Sequence, residues 1–222
     1  TPAQVNIYAI DFSSHMLGAF EGLAHVGGVL YENDGEKIAR FFNMMSAILK
    51  ERKTLLQGGN YEQYVKSHGV SLAAIILVID QYSAFREKTA NAYDDLLIQL
   101  SRDGASYGIY LLISSAGFGP AEIPSRIGDN IRTVICLEMG DKFQYSEAMH
   151  ISHLDVLPEA GVKGRGLALC PSGVLEFQTA LCLEAQDDYS RNEEIIRQCQ
   201  AMNQSWDGRH ARPVPQIPEK PE

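Results

Sequence analysis

The stretch that most constrains the fold of this chain is AIILVID, at residues 74–80. Its six apolar residues are rich in isoleucine and valine, and they end abruptly at the carboxylate of Asp80. A continuous apolar run of this length predicts a strand that is buried on both faces. Such strands belong to parallel sheets, which bind ligands just beyond the carboxyl ends of their strands.

The position of Asp80 has two interpretations. A carboxylate at the carboxyl end of a parallel strand is placed to hold a Mg²⁺ ion that accompanies a bound phosphate. Alternatively, Asp80 caps the loop or helix that follows the strand. The stretch by itself favours neither interpretation.

Three further segments have the character of strands. They are Val5–Ile10, which ends at Asp11, Ile109–Ser114 and Ile131–Leu137. Residues 167–170 and 174–181 flank a short turn and predict a β-hairpin. The glycine pair at residues 27–28 predicts a turn within the connection that spans residues 20–30.

Helical periodicity is clearest in residues 34–56, where apolar positions recur mostly every three or four residues. Shorter helices are predicted at residues 61–67, 92–102, 121–127, 141–149 and 189–202. Because strands alternate with helices, the chain is predicted to be an α/β protein with a mostly parallel sheet and helices on both faces. The β-hairpin is expected at the C-terminal edge.

Charge, hydropathy and cysteine content argue against several classes of protein. A formal net charge of -9 argues against a chain that wraps nucleic acid through its overall field. No apolar run approaches the ~18 residues that a membrane-spanning helix needs. Four widely spaced cysteines without a CxxC pair predict free thiols in a reducing compartment. The proline-rich residues 206–222 predict an extended linker that follows a domain at residues 1–205.

His150 and His153 lie three residues apart, a spacing that can place two imidazoles on one helix face for a metal ion. No cysteine joins them, and Pro158 soon ends any helix. A metal site at this histidine pair is therefore not the favoured interpretation.

Several segments together carry a resemblance to a known family. In chain order they include VNIYAIDFS, GLAHVGGVL, AIILVIDQYSAF, GIYLLISSAG, NIRTVICLEMGD and KGRGLAL. Their order and spacing resemble an FtsK/SpoIIIE-type P-loop ATPase domain, and most of all an internal ATPase domain of the EssC/EccC-like type VII secretion motor. The resemblance runs from Val5 to about Met202 and implies a RecA-like sheet.

The resemblance implies roles for residues at the end of the central strand. Asp80 matches the Walker B aspartate, which holds Mg²⁺ through water, and Gln81 stands where an active member usually has glutamate. Ser115 matches the polar sensor position, but Ala116 follows it where the family has glutamine. ATP and Mg²⁺ are the implied cofactors, and the two departures predict a degenerate hydrolysis site.

Three more residues are candidates for contact with the cofactor, namely Ser114, Asp11 and Arg165. Asp11 is equally a candidate to cap a loop. Arg165 lies between two glycines, where it either reaches the nucleotide of a neighbouring subunit or forms part of a turn. An arginine supplied in trans is worth roughly 10³–10⁵ in rate, but spacing cannot identify one.

The phosphate-binding motif G-x-x-x-x-G-K-[ST] does not occur in the chain. This motif supplies the backbone N–H groups and the lysine that hold the β- and γ-phosphates. In the family it lies on the strand, loop and helix that precede the position of Val5. We expect that this strand and helix are missing from the chain, that the parent protein has them, and that the chain alone binds ATP poorly.

Three functions are compatible with the resemblance. The first is a cytoplasmic domain of a membrane-anchored bacterial motor that exports small WXG-type helical proteins, with other ATPase domains of the chain and ring subunits as partners. The second is a non-hydrolysing recognition or regulatory module with the same fold. The third is a DNA-translocase domain, which the acidic balance and the absence of a basic strand-tracking loop disfavour.

Overall fold

The computed structural model describes residues 1–69, 71–117, 119–170 and 172–216. The predicted linker beyond residue 216 lies outside these described residues. The chain divides into two compact units, of which the first is Thr1–Ala116 with Ala185–Glu222 and the second is Gly117–Glu184. Among the described residues, no helix is both long enough and apolar enough to cross a membrane.

Strands and helices alternate through most of the chain. The strands are β1 (Val5–Asp11), β2 (Val26–Tyr31), β3 (Ala74–Asp80), β4 (Ile109–Ile113), β5 (Ile135–Leu137), β6 (Arg165–Cys170) and β7 (Gly173–Gln178). The helices are α1 (Gly35–Leu56), α2 (Tyr61–His68), α3 (Tyr82–Lys88), α4 (Asp94–Asp103), α5 (Ser125–Gly128), α6 (Lys142–Ala148) and α7 (Asp188–Gln204). Every predicted helix has a counterpart, whereas α3 was not predicted.

A four-stranded parallel sheet forms the centre of the first unit, in the order β2-β1-β3-β4. β3 lies between two neighbours, but the prediction that it is buried on both faces holds for one face only. On one of its faces Ile75, Leu77 and Ile79 are at most 3% exposed, while the residues between them are half-buried. The predicted α/β fold with a mostly parallel sheet is confirmed.

The prediction of a turn at Gly27 and Gly28 is wrong, because both glycines lie within β2. A Cβ atom on Gly27 would lie 2.2 Å from the ring of Tyr8 and 2.6 Å from the carbonyl oxygen of Arg212. Only glycine allows the backbone of β2 to approach these groups so closely. Glycine has a low strand propensity, which explains why the local pattern suggests a turn instead.

The second unit contains a three-stranded antiparallel sheet in the order β5-β6-β7. The predicted hairpin is confirmed as β6 and β7. The strand predicted at residues 131–137 is shorter than expected and pairs with this hairpin, not with the parallel sheet. Cys136 is 2% exposed, whereas Ile135 and Leu137 are 62% and 53% exposed. Such alternation is typical of an antiparallel sheet with one covered face.

Aromatic side chains connect α1 and α3 near the carboxyl ends of β1 and β3. Phe42 of α1 stacks on Tyr93 with ring centroids 4.1 Å apart, and Phe85 of α3 lies 5.8 Å from Phe42. Phe12, which follows β1, meets Phe85 edge-on at 5.5 Å. Edge-on and offset rings of this kind each add about 0.5–1.5 kcal/mol beyond the burial of their surface. The cluster therefore fixes α3 directly after Asp80.

The described part of the C-terminal segment packs against β2. The N–H of Ala211 donates to the carbonyl of Ala24 at 2.8 Å, and the N–H of Val214 donates to that of Gly27 at 3.0 Å. Ala211 and Val214 are 5% and 2% exposed. The segment thus covers part of the first unit, and the predicted domain boundary at residue 205 stays a prediction.

Arg52 is a buried cation of α1 that connects this helix to the amino ends of β3 and β4. Its guanidinium donates to the carbonyl oxygens of Tyr107 at 2.8 Å, Gly108 at 2.9 Å and Ala73 at 2.6 Å. The residue is 5% exposed, and burial lowers the pKa of the guanidinium. The planar fork of arginine suits this contact, since one group can donate to several carbonyls at fixed angles.

We expect the substitution Arg52→Met to lower the free energy of unfolding by about 3 kcal/mol, because three buried carbonyls lose a charged donor. Arg52→Lys should cost less, since the ammonium keeps the charge but cannot reproduce the fork. Urea unfolding of the purified chain measures both. The neighbouring substitution Lys53→Met is the control, because Lys53 lies partly exposed 3.9 Å from Asp103 and such pairs contribute about 1 kcal/mol or less. Equal stability of Arg52→Met and the wild type would contradict this interpretation.

Candidate active site

Two carboxylates lie side by side at the carboxyl edge of the parallel sheet. β1 and β3 pair in register along their whole length, and the last matched pair is Asp11 with Asp80. The strand sequences cause this arrangement, because each apolar run ends on its aspartate. Ligands of open α/β sheets bind at this edge, so the strand ends form the candidate site.

The carboxylate of Asp80 contacts the residue that follows the neighbouring strand. The hydroxyl of Ser114 donates a hydrogen bond to Oδ1 of Asp80. The N–H of Gln81 in turn donates to Oγ of Ser114 at 3.1 Å. The structure therefore brings together three of the predicted site residues, Asp80, Gln81 and Ser114.

Gln81 adopts a left-handed backbone conformation, with φ 55° and ψ 63°. This conformation is uncommon for residues other than glycine and costs roughly 1–3 kcal/mol. Strain of this kind is concentrated at functional sites. The side-chain amide of Gln81 makes no hydrogen bond with any residue that the structure describes.

Asp11 has a different environment from Asp80. It is 0% exposed, and its carboxylate accepts three backbone N–H groups of the loop that follows β1. Oδ1 accepts from Ser13 at 3.0 Å and His15 at 3.2 Å, and Oδ2 accepts from Leu17 at 3.0 Å. These contacts match the loop-capping alternative for Asp11, and contact with a cofactor stays a prediction.

Ser115 and Arg165 complete the predicted set. Ser115 is half-buried and follows Ser114 directly, in the first unit. Arg165 belongs to the second unit, where its guanidinium lies 3.4 Å from both Glu159 and Glu176. These two ion pairs hold the arginine within its own sheet. The sensor role of Ser115 and the nucleotide contact of Arg165 stay predictions.

The structure adds a group of residues that the sequence reasoning missed. Tyr82 is 0% exposed, and burial with the nearby Asp94 carboxylate raises the pKa of its hydroxyl. Asp94 also forms an ion pair with Arg86 at 2.9 Å. This ion pair joins α4 to α3, the helix that begins directly after Gln81. The available signal was the spacing of Tyr82 and Phe85, which is that of a buried helix face.

The donor set around Asp80 fits Mg²⁺, which prefers carboxylate, hydroxyl and water oxygens. Asp80 would hold the ion, through water, with the Ser114 hydroxyl beside it. The sequence contains no G-x-x-x-x-G-K-[ST] loop, the motif that holds the phosphates in P-loop nucleotide sites. Among the described residues, no group of three or more His, Cys, Asp or Glu side chains could hold a metal ion.

No family model matches the chain. Among curated proteins, it is 28% identical over 223 residues to the type VII secretion system protein EssC of Staphylococcus aureus (strain MRSA252), which covers 99% of this chain and 15% of that protein. It is 27% identical over 239 residues to the ESX secretion system protein EccC of Thermomonospora curvata, covering 98% of this chain and 17% of that protein. The chain thus spans about one-sixth of the length of these relatives.

Solved structures of the same secretion proteins resemble this chain in fold. The chain matches EssC (ATPases 2 and 3) from Geobacillus thermodenitrificans with a TM-score of 0.83 at 23% identity, over 98% of this chain and 41% of that chain. It matches Thermomonospora curvata EccC (ATPases 2 and 3), solved in complex with a signal sequence peptide, with a TM-score of 0.79 at 26% identity, over 98% and 40%.

A more distant match extends beyond secretion proteins. The pCW3 conjugation coupling protein TcpA, solved with ATPγS, gives a TM-score of 0.63 at 21% identity, over 89% of this chain and 57% of that chain.

The sequence and structure comparisons confirm the predicted resemblance over nearly the whole sequence. This chain is similar to the FtsK-like ATPase domains of the EssC/EccC type VII secretion proteins.

Proposed function

We propose that this chain is an ATPase domain with a degenerate hydrolysis site in a type VII protein-secretion motor. In the motor it couples nucleotide state to the export of small, helical WXG-type proteins. The observation that carries this proposal is the position of Asp80 and Gln81. A carboxylate stands at the carboxyl edge of a parallel sheet, and an amide follows it where the family has a carboxylate.

The degenerate character follows from the chemistry of an amide. Glutamine can orient a water molecule by hydrogen bonding, as it does in some GTPases, but it cannot take the proton of that water. General-base assistance is typically worth about 10²–10⁴ in rate. The alanine at position 116 removes a second polar side chain from the sensor region. Slow hydrolysis in the presence of bound Mg²⁺-ATP is the expected behaviour.

The relatives suggest the partners of this domain. Thermomonospora curvata EccC was solved with a signal sequence peptide, which supports recognition of exported proteins through such a signal. The solved EssC and EccC chains hold two ATPase domains each, which supports neighbouring ATPase domains of the same polypeptide as partners, and ring subunits beyond them. We place the domain on the cytoplasmic side of a membrane-anchored protein, with the membrane contacted only by other parts of that protein.

A second candidate function is a non-hydrolysing recognition or regulatory module of the same motor. Gln81 favours this alternative as much as it favours slow hydrolysis. DNA translocation is less favoured, because a formal charge of -9 opposes binding to a polyanion. Salt-dependent binding of duplex DNA by the purified chain would support DNA translocation instead.

The first test concerns the absence of a phosphate-binding loop from this sequence, and it measures nucleotide binding by the chain itself. We expect no binding of a fluorescent ATP analogue at micromolar concentrations with Mg²⁺ present, because the phosphate-binding loop contributes most of the contacts to the β- and γ-phosphates. Fluorescence anisotropy measures this directly, with excess unlabelled ATP as the control for non-specific signal. A micromolar dissociation constant that ATP competes away would contradict the expectation.

The second test separates the two candidate functions. In the full-length secretion protein, Gln81→Glu should raise the ATPase rate markedly, because the carboxylate can serve as a general base worth about 10²–10⁴. Gln57→Glu is the matched control, since Gln57 is an exposed glutamine in the same left-handed conformation at the end of α1. If the ATPase rate of Gln81→Glu is no higher than that of Gln57→Glu, the non-hydrolysing module is favoured.

A further inference from the structure

Ser114 is a candidate for contact with the cofactor, but the resemblance assigns it no specific role. The family's sensor residue corresponds to Ser115, one position later. The structure nevertheless places the hydroxyl of Ser114 between Asp80 and Gln81. Its backbone is equally involved, since its N–H donates to the carbonyl of Ile79 at 2.9 Å and its carbonyl accepts the N–H of Tyr82 at 2.9 Å.

The direction of the hydrogen bonds at Ser114 is determined by its partners. A hydroxyl has one proton to donate and lone pairs to accept with. The N–H of Gln81 can only donate, so Oγ of Ser114 accepts from it. The single hydroxyl proton is then directed to Oδ1 of Asp80, since an ionised carboxylate can only accept.

These contacts restrict both the side chain and the backbone at the strand end. The hydrogen bond from Ser114 to Oδ1 restricts the orientation of the Asp80 carboxylate, and Oδ2 accepts no hydrogen bond from any residue that the structure describes. The N–H of Gln81 is held as well, which supports the strained left-handed conformation at this residue. Ser114 therefore orients a carboxylate and stabilises a strained turn with one hydroxyl group.

We propose that Ser114 is a positioning residue that orients Asp80 for a hydrated Mg²⁺ ion. The inference rests on the proposed nucleotide-binding function and adds a residue to it. Partners that hydrogen-bond a metal-binding carboxylate commonly change metal affinity by 10–100-fold when they are removed. Ser114 acts through Asp80 and does not itself need to contact the ion.

The test uses the full-length protein and the fluorescent ATP analogue, titrated with Mg²⁺ and, separately, in EDTA. Ser114→Ala should raise the Mg²⁺ concentration for half-maximal binding by about 10-fold, with metal-free binding unchanged. Ser114→Thr should restore the wild-type value, because it keeps the hydroxyl. Ser67→Ala is the control, since Ser67 bonds only to the carbonyl of Gln63 in α2 in the described part of the chain.

A second measurement needs no ligand. Ser114→Ala should speed amide hydrogen exchange at Gln81, because its N–H loses its acceptor, and Ser114→Thr should reverse this. Unchanged Mg²⁺ dependence in Ser114→Ala, or an equal loss of binding with and without the metal, overturns the inference alone. Absence of Mg²⁺-dependent binding in the wild-type protein overturns the proposed function together with it.

Discussion

The unbroken parallel pairing of β1 with β3 is the constraint on which the rest of the first unit depends. Val5 pairs with Ala74 at one end and Asp11 pairs with Asp80 at the other, without an irregularity between them. A shift of one residue would turn every buried side chain of a strand to the opposite face. The burial of alternate residues in β3 therefore fixes the register, and the register brings both carboxylates to one edge.

Buried charged side chains at the two edges of this sheet are stabilised by opposite kinds of backbone group. At the amino edge, the buried Arg52 donates to backbone carbonyls, and at the carboxyl edge the buried Asp11 accepts backbone N–H groups. Backbone groups therefore hydrogen-bond each buried charge, which lowers the cost of burying it. Asp80 is only half-buried and accepts one side-chain hydrogen bond, from Ser114, among the described residues. The proposed role in binding Mg²⁺ requires this remaining capacity, whereas the carboxylate of Asp11 is occupied by its loop.

Two features of the sequence bear on the proposed hydrolysis site in different ways, namely the amide of Gln81 and the absence of a phosphate-binding loop. At the proposed site, an amide at position 81 cannot take a proton from water as a carboxylate can. The backbone of Gln81 is left-handed, and Tyr82, which follows it, is 0% exposed. The absent phosphate loop concerns a different part of a nucleotide site, which this sequence does not contain.

Apolar runs and their periodicity predicted β1, β3, β4, the hairpin and the long helix α1, because each pattern is local and strong. The local pattern could not identify β2, whose glycines are required by a ring and a carbonyl distant in sequence, nor the partner of β5. For the site, the sequence by itself determined that a carboxylate and then an amide follow the central strand. Only the tertiary structure decided that the loop after β1 occupies the carboxylate of Asp11, and that the hydroxyl of Ser114 donates to Asp80. Hydrogen bonds between strand ends depend on three-dimensional proximity, which spacing along the chain does not encode.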